Sequence, residues 1–133
     1  MTALKILAKL LASLEPRLQP GAYVFVCVPA LPVGLEPIAS FREAEGLTLV
    51  VEESAAHAAG LTPLFRAAWI TLTVHSDLAA VGLTAAVSTA LAECGIACNV
   101  IAAAHHDHLF VPVERADVAL AALVSLAEQA RRA

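Results

Sequence analysis

Four consecutive residues, His105, His106, Asp107 and His108, put three imidazoles and a carboxylate side by side. Neutral imidazole and carboxylate suit zinc or another transition metal. Adjacent residues on a strand or tight turn cannot easily all converge on one ion, and no spaced motif such as HExxH or paired CxxC accompanies them. The tetrad is therefore read as a polar hairpin turn in which Asp107 bonds the local backbone, with metal binding as the alternative. A second cluster, His75-Ser76-Asp77, has the residue types of a catalytic triad. Triad members converge from separated segments, however, and neighbours at a strand end point apart. No nucleophile elbow, phosphate loop or dinucleotide fingerprint is present. We expect no enzyme and no cofactor; the alternative is a small cofactor-free enzyme using His75 or His105 as acid or base. Cys27, Cys94 and Cys98 are an odd number in apolar surroundings, which suits free buried thiols in a reducing compartment. Arg42, Glu43 and Glu45 read as a solvated, charged hairpin.

The elements that must position these groups centre on residues 69–113. Ile70, Leu72 and Val74 alternate with Thr71 and Thr73, so a strand there is apolar on one face and tolerates polar groups on the other. Ser76 is the expected N-cap of a helix from Leu78 to Cys94, which Gly95 ends. Ile96 to Ala102 and Leu109 to Val113 follow as strands flanking the HHDH turn. On a helical wheel Leu83, Val87, Leu91 and Cys94 face the sheet, while Val81, Gly82, Ala85 and Ala92 form a small apolar face that needs its own cover from another helix, domain or subunit. Strand, helix, strand, strand, then a helical run from Ala116 to Arg131 is the βαββα(β) order of the ferredoxin-like plan.

Ahead of this segment, Leu4, Leu7, Leu11 and Leu14 recur at helical spacing, so residues 3–14 read as an amphipathic core helix that Pro16 ends. Ala22 to Val28 is a strand by its Tyr, Val and Phe content, and PALPVGLEP is a loop. Ile38 to Ala44 and Leu47 to Glu52 make a hairpin around Glu45-Gly46, and Ser54 caps a short helix that Gly60 ends. YVFVCV resembles WITLTV, and TLVVEESAAHAAGL resembles LFVPVERADVALAAL, a weak internal repeat. The first half has only the proline-rich loop where the second has a full helix. A parallel crossover normally needs a dozen or more residues, so the first unit is either degenerate or borrows the N-terminal helix.

The chain has 133 residues, a formal net charge of −4 and 59% hydrophobic residues. That length suits one ordinary domain or two very small ones. Eight scattered Lys and Arg give no nucleic-acid footprint. The longest charge-free helical run, between Asp77 and Glu93, falls short of the roughly 20 apolar residues a bilayer requires. With no signal-peptide cleavage site or lipidation motif in MTALKILAKLLASLEPRL, the expected location is cytoplasmic, away from membrane and nucleic acid.

The string VHSDLAAVGLTAAVSTALAECGIACNVI followed by HHDHLFVPV resembles the second module of small bacterial proteins built from tandem ACT-like domains, relatives of the regulatory region of aspartate kinases. YVFVCV and FREAEGLTLVV resemble that family's first module. The resemblance implies an α+β fold of tandem ferredoxin-like βαββαβ modules, with antiparallel sheets covered by helices on one face. The modules would be residues 1–66, degenerate, and 67–133. It also implies small-molecule binding between modules without catalysis. The family's ligand loop maps onto His75, Ser76, Asp77, Leu78, Val81, Gly82 and Leu83, and its ligand-facing strand onto Asn99, Val100 and Ile101. The commonest ACT loop has glycine soon after its acidic residue and before the helix; here Gly82 comes later.

Physical chemistry supplies a parallel argument. A helix N-terminus suits a carboxylate and Asp77 an α-ammonium, together a zwitterion's complement; the plainer reading is that Ser76 and Asp77 only cap the helix. Asn99, in an otherwise apolar strand, would need a partner if buried, whether a ligand, a facing strand or a turn. The reading is thus a non-catalytic regulatory protein that binds a small molecule, best an amino acid, and pairs as a homodimer. The alternative is a ligand-free oligomerisation module.

Overall fold

The computed structural model describes residues 2–74 and 81–133. A seven-stranded antiparallel sheet runs through it, with β1 Glu15–Leu18, β2 Tyr23–Val28, β3 Ala39–Glu43, β4 Gly46–Glu52, β5 Phe65–Thr73, β6 Asn99–Ala102 and β7 His106–Pro112. The strands lie in the order β3-β4-β2-β5-β7-β6, and β1 pairs with β5 beside β2. The helices are α1 Ala3–Ala12, α2 Glu53–Ala58, α3 Leu83–Glu93 and α4 Ala116–Arg132.

The long strand β5 joins two ferredoxin-like units. Its first residues, Phe65 to Ala67, pair with β2, while Ile70 to Thr73 pair with β1 along the same edge and with β7 on the other. The first unit is thus β2, β3, β4 and α2, completed by the start of β5. The second is β5, α3, β6, β7 and α4, completed by β1 from the chain's beginning. The proline-rich residues 29–38 stand where the first unit would have its crossover helix, and α1 does not replace it. Instead Leu7, Leu10, Leu11 and Leu14 pack with Ile70, Leu72, Val87, Leu91, Leu109 and Leu123 in the second core. A smaller core on the same sheet face holds Val24, Val26, Leu49, Val51 and Ala56.

Several boundaries differ from expectation. β1 was not expected: Pro16 ends the helical pattern but sits on a strand that, among the described residues, pairs only with β5, where a missing N–H is tolerated. Gly82, at φ +94°, rather than Ser76 is the N-cap of α3, because a positive φ breaks the helix one residue before Leu83. Glu52, not Ser54, occupies the N-cap of α2. The second strand of the C-terminal unit starts at Asn99, not Ile96. HHDH is not a turn: His106, Asp107 and His108 belong to β7 and pair with Thr73, Leu72 and Thr71. The cysteines are free but not all buried, since Cys27 and Cys94 are exposed and Cys98 is half-buried; the Cys94 side chain lies beyond the sheet-facing row Leu83, Val87 and Leu91. Ala85 and Ala92 are exposed, so the small face of α3 has no full cover among the described residues.

Candidate functional site

The face opposite the helices carries the odd-numbered residues of β2, β5 and β6 and the even-numbered ones of β4 and β7, by strand alternation. Tyr23, Val50, Ala67 and Phe110 are buried there, joined by Phe25, Ala39, Phe65, Trp69 and Ile101. Ala67, 0% exposed, is the reason these rings can meet. With only a methyl group on the central strand, the Phe25 ring from β2 reaches Phe110 of β7 edge to face, centroids 5.5 Å apart. Tyr23 meets Trp69 in the same manner at 5.2 Å. The sheet curls over this small residue, and its two outer strands, β3 and β6, come to opposite sides of one groove of about 400 Å³.

Phe25 lies in that groove, Phe41 and Ser40 of β3 and Thr48 of β4 form one side, and Cys98, Asn99, Val100 and Ile101 form the other. Burial pushes the Cys98 thiol up to about 11. The Thr48 hydroxyl donates to the Glu43 carboxylate. Asn99 is exposed rather than buried, at the start of an edge strand. Its amide therefore has no buried-partner requirement and is open to the groove.

The other expected ligand residues do not gather here. Leu83 is 4% exposed and belongs to the second core. Gly82 lies on the helical side, where a Cβ would stand 3.1 Å from Leu7 of α1, and Val81 is exposed. His75, Ser76, Asp77 and Leu78 lie outside the described residues. Gly82 does stand directly before α3, so the glycine that looked late in the sequence occupies the pre-helix position. The residues that sequence reasoning missed are Phe25, Ser40, Phe41, Thr48 and Cys98. The alternation in YVFVCV marks Tyr23, Phe25 and Cys27 as one face, but nothing local says that this face meets β6.

The histidines of β7 flank the aromatic floor. His106 and His108, two apart, share a face with ring centroids 6.3 Å apart, and Asp107 points the other way. Among the described residues no group of three metal-ligating side chains comes together. His108 Nδ1 accepts a hydrogen bond from the Trp69 indole N–H at 3.0 Å and lies 3.4 Å from Thr71 Oγ1. Burial, then the neighbouring His106, holds the His108 imidazolium below its usual range, against the pull of Asp107. Burial raises the Asp107 carboxyl, partly offset by His108.

The tandem arrangement, two four-stranded units sharing β5, has a counterpart in known families: the ACT-domain profile matches residues 2–68, and a second ACT-domain profile matches residues 65–125. The chain belongs to the ACT-domain family. The two ACT matches overlap on residues 65–68, the part of β5 where it passes from β2 toward β1. A crystal structure of a Vibrio cholerae protein of unknown function, described as a possible transport protein, is similar at 52% identity and TM-score 0.86, over 95% of this chain and 99% of that one. An Agrobacterium tumefaciens protein is similar at 18% identity and TM-score 0.64, covering 86% and 89% of the two chains. The regulatory subunit of aspartate kinase from Thermus thermophilus, in a ligand-free form, is similar at 12% identity and TM-score 0.59, covering 86% and 98%. These last two share the ACT fold. No curated protein matches the chain. No described helix is long and apolar enough to cross a membrane.

Proposed function

We propose that this tandem ACT protein is a non-catalytic, cytoplasmic regulator that binds an amino acid, with modules 1–66 and 67–133 acting as one unit and two copies pairing. The observation that carries the reading is the edge strand β6, which sets Asn99, Val100 and Ile101 on an open groove. Among the described residues β6 pairs only with β7, so its other backbone edge is available to an ammonium or carboxylate. The loop ending in Val81, Gly82 and Leu83, and its earlier residues His75 to Leu78, would approach such a strand from a neighbouring copy. Ligand held across modules favours one arrangement of them, and a partner protein senses the difference in population.

The test is a thermal-shift screen of the metal-stripped protein against the twenty amino acids. Ligand at about a hundred times its dissociation constant adds roughly 2.7 kcal/mol to folding stability. A saturable rise that the exposed Asn99→Ala variant diminishes supports the reading; no rise with any amino acid refutes it. A second reading, a ligand-free oligomerisation module, draws support from Leu4 and Ile6 on α1 and Val118 and Val124 on α4, all exposed on the helical side. Self-association with no amino-acid response would favour it.

A further inference from the structure

The groove between β3 and β6 lies on the sheet face away from every helix, and its lining is selective in charge. Phe25, Phe41 and Ile101 give it an aromatic and aliphatic surface, and the polar side chains on this face, Thr48 and Asn99, are both neutral. Glu43 holds the Thr48 hydroxyl but does not line the groove. The groove's 400 Å³ lies within the usual range for small-molecule sites, about 300 to 1,000 Å³. β3 pairs only with β4, and β6 only with β7, so each strand has one backbone edge without a strand partner among the described residues.

We propose that this groove selects an amino acid whose side chain is apolar and uncharged. The assignment rests on the amino-acid reading above and specifies the ligand class. The α-ammonium and α-carboxylate meet carbonyl and N–H groups of the two open strand edges and the Asn99 amide, which pair with either charge. The side chain lies on Phe25 between Phe41 and Ile101, where contact with apolar surface favours it. A lysine or aspartate side chain placed there loses water and finds no opposite charge on a lining residue, the Glu43 carboxylate being engaged by Thr48, so it is rejected.

Titration calorimetry of the full chain with L-leucine, L-phenylalanine, L-lysine and L-aspartate tests the assignment. The first two should bind at least roughly tenfold more tightly than the last two. Phe41, 70% exposed, can be shortened without touching either core. Phe41→Ala should weaken the binding of L-phenylalanine roughly tenfold, as the loss of an aromatic contact does. Equal or tighter binding of L-lysine or L-aspartate overturns the charge selection while leaving the amino-acid reading intact. Apolar amino acids bound with the same affinity by Phe41→Ala move the site elsewhere and overturn the assignment. Binding of none of the four, with no response to any amino acid in the thermal screen, overturns both.

Discussion

Acidification should loosen the aromatic face through a single hydrogen bond. His108 Nδ1 accepts from the Trp69 N–H, and a protonated imidazole has no lone pair there to accept with. The folded protein therefore takes up this proton less readily than the unfolded chain, whose histidines titrate near 6.5, in keeping with the lowered His108 value. Stability is then at its full level above pH 6.5 and falls as the pH drops through the interval below it, levelling once the folded form is also protonated. A neutral hydrogen bond contributes about 0.5–1.5 kcal/mol, and solvent screening at the half-buried His108 places the effect at about 0.5–1 kcal/mol. That corresponds to a fall in melting temperature of about 2–5 °C for a domain of this size. Asp107 works in the opposite direction: its raised carboxyl protonates first in the folded state, so this effect sets in above the ordinary aspartate value and is complete once the unfolded chain is protonated as well. Melting curves from pH 8 down to about 5.5 span the histidine's range, and the paired curve of a variant that keeps Asp107 separates the two groups. Trp69 is the only tryptophan, so its emission reports the bond directly. His108→Gln keeps an acceptor and removes the titration; its melting temperature and emission should be flat where the parent protein's fall. An equal decline in both proteins would refute the reasoning.

Other substitutions probe the geometry behind the groove. Gly46→Ala should cost about 1–3 kcal/mol in urea unfolding, since φ is +150° and a Cβ would meet Cys27 Sγ and the Val28 carbonyl oxygen, each at 3.0 Å. Ala67→Val should cost about 1–3 kcal/mol and alter the near-ultraviolet circular dichroism, because two added methyl groups would push apart the rings of Tyr23 and Phe110. Alkylation at pH 8 followed by mass spectrometry should label exposed Cys27 and Cys94 well before Cys98, whose thiol is raised to about 11. Leu14→Ala should cost about 2–5 kcal/mol, measured by urea unfolding, because this 1% exposed residue fills the second core.

What was legible in the sequence was local and periodic. The alternation of Ile70, Leu72 and Val74 gave β5, the row Leu83, Val87 and Leu91 gave the buried face of α3, and Glu45-Gly46 gave the β3-β4 hairpin. The errors arose where tertiary pairing outweighs local chemistry. A run of four polar residues suggests a turn, yet His106 to His108 form strand because β5 lies on one side of them and β6 on the other. Ser76 is a better capping residue than Gly82 by propensity, but the positive φ at Gly82 sets where α3 begins. Of the candidate site, Asn99, Val100 and Ile101 were identifiable from the family resemblance. Phe41 and Thr48 were not, since their place opposite β6 depends on the curl of the whole sheet.

The N-terminal residues show why that curl could not be read in chain order. Glu15–Leu18 is too short and too polar to look like a strand, and it becomes one by pairing with residues 70–73, more than fifty positions away. Its placement settles two matters at once. β1 occupies the edge of β5 beyond Ala67, so β2 can pair only with Phe65 to Ala67, and the first unit is held at one end of β5. α1, joined to β1 by two residues, is carried onto α4 and the second core, which leaves the first unit without a crossover helix. The proline-rich segment then has no helix to support, and β3 is free to stand opposite β6 across the groove. Division of labour between the units follows from this exchange: the second has the larger core and three of the helices, and the first contributes one wall of the candidate site.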